Sequence, residues 1–296
     1  MSNQSTHVSY GSWVLLLALA LIWGTSFLFT SIGLETFSPL FITFFRLVCG
    51  AAVLTCLVYI KHLRLPFTLK DWGTFFVLGL VGNAAPFFLI AWGQQSVPSG
   101  LAGVLMAIMP IMTMLIAHFT VVGETLSRYK LAGAATAFIG VAILLNPSLA
   151  NTGLLVHQLC ILAAASCYAL NAVLVRRLSK HHPMVGGAGM LIASSLIALP
   201  FFISQGLDQL SMANLMTASF LSILWLGALS TGVASLIYFN IIQKAGPSFL
   251  ANMNFMVPVV AYVLGVTILG ESATAISVVA IGIIFSGVAL TRYKAK

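Results

Sequence analysis

The hydrophobic residues of this chain are gathered into long apolar runs separated by short polar connections. A helix that spans a bilayer needs about 20 mainly apolar residues, and ten segments meet that requirement. They cover residues 12–32, 39–60, 72–92, 99–122, 129–146, 153–175, 185–203, 215–240, 247–269 and 273–291. Backbone polar groups in lipid must pair within their own segment, so unbroken runs of this length predict helices rather than barrel strands. The pattern predicts an all-α integral membrane protein with ten transmembrane helices.

Composition supports the same fold class and excludes several others. Hydrophobic residues make up 60% of the chain and charged residues 6%, against about 45–50% and about 25% in soluble domains. A soluble enzyme, a nucleic-acid-binding domain and a disordered chain are therefore excluded. The net charge of +8 does not indicate nucleic acid, because the cations form small clusters between apolar runs instead of one patch. The expected partner is the lipid bilayer.

The positive charges predict the orientation of the chain. Of the 13 Lys and Arg residues, all except Arg46 follow an even-numbered span or lie at the C-terminus, and none follows an odd-numbered span. Lys and Arg in short loops stay on the cytoplasmic side. Both termini are therefore expected in the cytoplasm, and the number of spans is even. We expect a multi-pass protein of the plasma (inner) membrane of a bacterium.

The two halves of the sequence repeat one another. The recurring positions, about 148 residues apart, are Pro98, Pro110 and Glu124 in the first half and Pro247, Pro258 and Glu271 in the second. Each copy holds five predicted spans, so the second copy enters the membrane from the opposite side. The sequence thus predicts two inverted five-helix repeats, 13–146 and 154–292, with Glu124 cytoplasmic and Glu271 external. Many secondary transporters have this architecture.

Short motifs in these repeats resemble a known family. They are LIWGTSF at 21–27, Pro39 followed by Phe45-Arg46-Leu47, and the doubled Pro, Gly-Glu and Gly-Val blocks. Their order and duplication resemble the EamA family of the drug/metabolite transporter superfamily. The resemblance implies ten helices, a central cavity and movement of small metabolites, often export of amino acids or related compounds. One departure is that Arg46 and Trp23 align with Met190 and Cys167 in the second copy.

Arg46 is the one cation inside a predicted span. It lies seven residues beyond Pro39, about 10 Å deep at a rise of 1.5 Å per residue. A charge at that depth costs at least about 2.5–3.5 kcal/mol on insertion scales, so it is a candidate functional residue. Its planar donors suit a substrate carboxylate. The alternative is that Arg46 reaches the outer interface, or pairs with a helix-end carbonyl or with Glu35.

Uncharged polar and aromatic residues at depth are further candidates for substrate binding. They are Trp23, Ser26, Asn83, Tyr168, Tyr238 and Asn254. A cavity lined by aromatic rings with a few amide and hydroxyl groups suits an amphipathic small molecule. Each of these residues has the alternative role of interhelical hydrogen bonding or packing.

Three prolines inside the predicted spans are expected to shape the cavity. Pro86, Pro110 and Pro258 each remove a backbone donor and kink a helix, so they are candidate bending points. The alternative is that they are fixed structural kinks. Pairs of small residues four apart predict close helix packing as well, either within the bundle or between two copies of the chain. These pairs are Gly133 with Ala137, Ala261 with Gly265, and Gly282 with Ser286.

These features together favour a secondary transporter that exports small organic metabolites, amino acids or analogues being the best match, by alternating access. A channel or a non-transporting scaffold is the alternative. A membrane-embedded enzyme is disfavoured, because the spans contain no cluster of acidic, histidine or cysteine residues near the interface. We expect no catalytic residue, no cofactor and no metal site. The expected assembly is a monomer or a homodimer.

Overall fold

The structure, a computed structural model, describes residues 9–120, 126–145 and 152–291. Within these ranges the chain is helical and contains no strand. Its ten long helices are α1 Tyr10–Leu34, α2 Pro39–Ile60, α3 Leu69–Gly93, α4 Ser99–Thr120, α5 Arg128–Leu145, α6 Thr152–Leu178, α7 Pro183–Gln205, α8 Ala218–Gly246, α9 Met253–Ile268 and α10 Ala275–Thr291. Glu124 lies outside the described residues.

Every predicted span corresponds to one of these helices. Seven of them, α1 to α4 and α6 to α8, are long and apolar enough to cross a membrane by length and composition. The other three are shorter, with 18 residues in α5, 16 in α9 and 17 in α10. The chain is therefore a multi-pass helical membrane protein. Two boundaries differ from the prediction by six residues. Helix α8 continues to Gly246, where a φ of 82° that glycine adopts without strain ends it. Helix α9 accordingly begins at Met253 instead of residue 247.

Three helices contain a turn that is not α-helical. A π-helical turn occupies Leu80–Ala84 in α3, a longer one occupies Leu226–Val233 in α8, and a 3₁₀ turn occupies Met106–Ile108 in α4. In α3 the amide of Ala85 donates to the carbonyl of Leu80, five residues back. Such turns rotate the following side chains relative to the preceding ones, and they are frequent at functional sites.

Pro110 explains the 3₁₀ turn in α4. In a regular helix the amide of residue 110 would donate to the carbonyl of Met106, but proline has no amide hydrogen. The amide of Met109 donates to that carbonyl instead, which is the tighter bonding pattern of a 3₁₀ turn. The predicted irregularity at Pro110 is therefore a local change of helix type.

The principal contacts between helices join the two halves of the chain. The pairs are α1 with α8 and α9, α2 with α7 and α8, α3 with α6 and α7, α4 with α6 and α9, and α5 with α10. If α1 to α5 are exchanged with α6 to α10 in the same order, the set of pairs stays the same; for example, α1 with α8 becomes α6 with α3. Each half therefore packs mainly against the other half, with contacts that exchange in pairs.

Glycine allows the closest of these approaches. A Cβ atom added to Gly287 of α10 would lie 2.5 Å from the backbone nitrogen of Ala137 and 2.6 Å from the carbonyl oxygen of Gly133 on α5. The predicted small-residue contacts of Gly133 and Gly265 are confirmed in this way. Gly282 makes no such contact within the described bundle, because no atom would lie within 4 Å of its added Cβ; its alternative role in a contact between two copies of the chain stays a prediction.

Candidate functional site

The π-helical turn of α8 holds two helices of the first half through consecutive residues. The indole nitrogen of Trp23 on α1 donates to the carbonyl of Ser230 at 2.9 Å, and the hydroxyl of Ser230 donates back to the carbonyl of Ile22. The hydroxyl of Thr231 bonds to the carbonyl of Leu226, five residues earlier. The irregular turn thus directs both the carbonyl and the hydroxyl of Ser230 toward α1.

Arg46 on α2 meets this turn at Thr231. Its Nε donates to Thr231 Oγ1 at 3.1 Å, and the guanidinium carbon lies 3.8 Å above the ring of Phe87 on α3. The residue is 9% exposed. Among the described residues, the one ion pair with a distance of 4 Å or less joins His181 to Asp71, so no described carboxylate pairs with Arg46. Arg46 therefore pairs neither with Glu35 nor with a helix-end carbonyl, and its charge has no described acidic partner.

Close packing of α2 on α8 brings the arginine to this position. A Cβ added to Gly50 would lie 2.7 Å from Thr231 Cγ2, and one added to Gly227 would lie 2.4 Å from Cys49 Cβ. Arg46 Nη1 and Nη2 have no hydrogen-bond partner among the residues that the structure describes. A buried cation with two uncommitted donors and an aromatic face beneath it is suited to a planar anionic group.

Further aromatic side chains lie beside the α8 turn that Arg46 contacts, since Trp23 bonds to Ser230. The ring centroids of Trp23 and Tyr238 are 5.8 Å apart, and both residues pack against the cluster around Leu16 and Leu19. Tyr168 on α6 is half-buried between two hydrophobic clusters, one of which contains Phe87. Because Phe87 is also the ring beneath the Arg46 guanidinium, Tyr168 lies in the same region of the bundle.

The π-helical turn of α3 adds amide groups. Asn83 is half-buried within it, and its side-chain amide has no hydrogen-bond partner in the described part of the chain. Asn171 on α6 packs against the same turn, since a Cβ added to Gly82 would lie 2.5 Å from its Nδ2. The Oδ1 atom of Asn171 is buried and unpaired among the described residues. The turn and α6 thus bring two amides into one region.

Two residues predicted to bind substrate, Ser26 and Asn254, make hydrogen bonds to residues close to them in sequence. The hydroxyl of Ser26 is buried and donates to the carbonyl of Trp23 in its own helix. Asn254 is half-buried in the first turn of α9, where its backbone N–H donates to the carbonyl of Ala251. No hydrogen bond of either side chain to the Arg46 cluster is found among the described residues. Their substrate-binding role stays a prediction.

The three candidate prolines lie at different kinds of helix irregularity. The π-helical turn of α3 ends at Ala84, and Pro86 is the second residue of the α-helical segment that follows it. Pro110 lies two residues after the 3₁₀ turn of α4. Pro258 is buried within α9, whose residues Met253–Ile268 are all α-helical. The bending role of all three remains a prediction.

Some residues of the cluster were not identified from the sequence. Thr231 and Ser230 lie in a span that carries many small residues, and Phe87 is one of 20 phenylalanines in the chain. The one available signal was their position: Phe87 follows Pro86, and Thr231 lies four residues after Gly227, which aligns with Gly79 of the first half.

Comparison with known proteins identifies the family. Residues 11–146 and 156–293 each match the sequence profile of the EamA-like transporter family. The chain belongs to this family. It is 27% identical to a probable amino-acid metabolite efflux pump of Salmonella typhimurium, with 92% of each chain covered. It is 26% identical to the uncharacterized transporter YoaV of Bacillus subtilis, over 88% of this chain and 89% of YoaV.

Two further similarities agree with this membership. The uncharacterized inner membrane transporter YedA of Escherichia coli is 25% identical over 93% of this chain and 88% of its own. A solved crystal structure superposes with a TM-score of 0.67 at 21% identity, covering 95% of this chain and 96% of the other. At that identity the superposition supports the fold alone.

Proposed function

We propose that this family member is a secondary transporter that exports small organic metabolites bearing a carboxylate, amino acids or close analogues, by alternating access. The observation that carries the proposal is Arg46, a buried cation with two uncommitted donor nitrogens between helices of both halves. An intramembrane charge is costly, and such residues mark substrate pathways. A carboxylate would engage both nitrogens through its two oxygens and compensate the charge.

The surrounding side chains suit the rest of such a substrate. Trp23, Tyr168 and Tyr238 offer aromatic surface, and Asn83 offers an amide. The proposed site also includes Ser26 and Asn254, whose described hydrogen bonds are to residues near them in sequence. The similarity to a protein named as a probable amino-acid metabolite efflux pump supports the same substrate class and the export direction.

Alternating access requires two halves that can rock against each other, and inverted repeats provide them. The set of helix pairs that exchanges between halves supports this arrangement. So do the π-helical turns that begin beside the aligned glycines Gly79 and Gly227. In this mechanism Pro86, Pro110 and Pro258 are the bending points of α3, α4 and α9. The loop charges support an inner-membrane orientation with both termini cytoplasmic, as a monomer or a homodimer.

A counterflow screen on protein reconstituted in liposomes tests the function. Liposomes loaded with one unlabelled amino acid or organic acid are exposed to its labelled form, and accumulation is measured over time. We expect saturable, stereoselective uptake for a carboxylate-bearing subset. Flux that rises linearly with concentration would indicate a channel instead, and no flux with any compound would indicate a scaffold. Proton and sodium gradients imposed afterwards separate facilitated diffusion from coupled exchange.

A further inference from the structure

One end of the contact between α4 and α9 is closed more tightly than the other. We infer that this end is a gate, and that the carboxylate of Glu271 is the latch that holds it closed. The inference deepens the proposed function, since a gate is needed only if access alternates. It rests on four features of the structure: the hydrogen bonds of Glu271, the glycine contacts beside it, the uneven burial of α4, and two unpaired hydroxyl groups.

The latch joins the connection after α9 to the beginning of α4. The two carboxylate oxygens of Glu271 accept hydrogen bonds from the amides of Ser99, at 2.5 Å, and Gly100, at 2.8 Å. Its own amide donates to the carbonyl of Gly265 at 3.0 Å. The first amides of a helix have no partner within the helix, and the helix dipole favours a negative charge there. Both oxygens are thus used, one on each amide.

Residues without bulky side chains make the contact beside the latch. A Cβ added to Gly103 on α4 would lie 2.3 Å from Ala261 Cβ on α9. One added to Gly265 would lie 2.3 Å from Glu271 Oε2 and 3.0 Å from the amide nitrogen of Gly100. The latch geometry therefore depends on the missing side chain at Gly265. A methyl group there would occupy the space of the carboxylate without changing any charge.

Burial falls along α4 away from this end. Most residues of α4 from 99 to 108 are buried, whereas none from 112 to 120 is. In α9 the buried residues are Pro258, Ala261 and Gly265, residues 253–257 are half-buried, and Thr267 and Ile268 are exposed. The first half of α4 is therefore sealed beside Glu271 and its second half is looser, as a carrier open to one side requires.

The closed contact also buries two hydroxyl groups without hydrogen-bond partners, which is an unfavourable free energy that opening would remove. The hydroxyl oxygens of Ser99 and Tyr262 are buried, and neither has a hydrogen-bond partner among the described residues. Both residues adjoin the contact, Ser99 as a latch partner and Tyr262 against Gly100. A buried hydroxyl without a partner is desolvated without compensation, and water would hydrate both groups when the end opens. This cost opposes the latch, so the closed state is held by Glu271 and remains reversible.

Distance measurement by double electron–electron resonance tests the latch without any substrate. Spin labels are attached to Ser96→Cys and Ala273→Cys, both exposed positions on the connections that the latch joins, in protein whose four native cysteines are replaced. We compare Glu271→Gln with the parent protein in liposomes. The amide of glutamine places a donor against the amide of Gly100. We expect a longer 96–273 distance population that grows at least twofold at the expense of the short one.

Gly265→Ala is the second variant, and it keeps the carboxylate. Because the added methyl displaces Glu271 from the amides, we expect the same longer distances. The matched controls are Glu35→Gln, which neutralises an exposed carboxylate, and Gly73→Ala, where nothing lies within 4 Å of the added Cβ; neither should alter the distribution. Unchanged distances in Glu271→Gln or in a folded Gly265→Ala protein would overturn the latch. A protein that transports nothing but opens in both variants would overturn the proposed function and leave the latch standing.

Discussion

The imidazole Nε2 of His181 lies 2.8 Å from a carboxylate oxygen of Asp71. His181 belongs to the connection between α6 and α7, and Asp71 to the first turn of α3. The ring of His181 also packs against Phe75, with centroids 5.6 Å apart. This contact brings the connection after α2 and the connection after α6 to the same end of the bundle.

The contact makes a prediction about topology. Single cysteines introduced at Lys61 and Lys180 should react with a membrane-impermeant thiol reagent from the same side, the cytoplasmic one, because the Asp71–His181 contact joins their connections. Intact right-side-out cells should leave both unlabelled, and permeabilised cells should label both. A cysteine at exposed Ser96 serves as the control for the other side. Labelling of the two lysine positions from opposite sides would contradict the inverted repeat.

The carboxylate role of Arg46 predicts a selective loss of transport. Arg46→Gln removes a charge-assisted pair worth about 1.5–3 kcal/mol, which corresponds to about 10- to 150-fold weaker binding. The measurement compares the best substrate of the counterflow screen with its carboxamide analogue. We expect the variant to lose its preference for the carboxylate, and Arg46→Lys to retain part of it. Equal losses for both compounds would make Arg46 a structural residue.

Thr231 should act through Arg46. Thr231→Val removes the acceptor of Nε while keeping the shape of the side chain, so the guanidinium loses its fixed orientation. We expect a rise in the half-saturation concentration of about tenfold, from one lost charge-assisted bond of about 1.5 kcal/mol. Thr231→Ser keeps the hydroxyl and should transport as the parent does. Matching defects in the valine and serine variants would assign the effect to packing.

Pro110→Ala should change helix type at a candidate bending point. Alanine restores an amide that competes for the Met106 carbonyl now taken by Met109, so the 3₁₀ turn is expected to become α-helical. We expect slower transport per inserted molecule with normal membrane insertion. Pro200→Ala is the control, since Pro200 is an exposed proline within α7. Equal rates for Pro110→Ala and the parent would remove the hinge role of Pro110.

The α5–α10 contact predicts a difference between two glycines of one helix. Gly287→Ala forces a methyl group against the backbone of α5, and overpacking of this kind costs about 1–3 kcal/mol. Thermal unfolding in detergent should show a lower Tm. Gly282→Ala places its methyl in open space and should leave the Tm unchanged or raise it, because alanine favours the helix. Identical melting of the two variants would contradict the packing described here.

Hydropathy, loop charges and short motifs identify the ten helices, their approximate ends and the family, because a bilayer requires long apolar spans and cytoplasmic Lys and Arg, and both are visible in the local sequence. The same pattern singles out Arg46, since a charge within a span is visible without any structure. The end of α8, the beginning of α9 and the lack of a bundle contact at Gly282 could not be predicted, because a residue's backbone angle and the face it presents depend on neighbours that are distant in sequence.

Which polar groups meet is visible only once the helices are packed. Arg46 bonds to a threonine 185 positions away, and Glu271 bonds to amides at least 171 positions away. Nothing in the local pattern distinguishes Thr231 from other buried hydroxyl residues, or Phe87 from other phenylalanines. In an apolar chain, hydropathy makes most helix faces nearly equivalent, so the specific pairing of helices rests on small residues that allow close approach and on a few polar contacts. The pairing of helices and of these polar groups is therefore established when the helices pack.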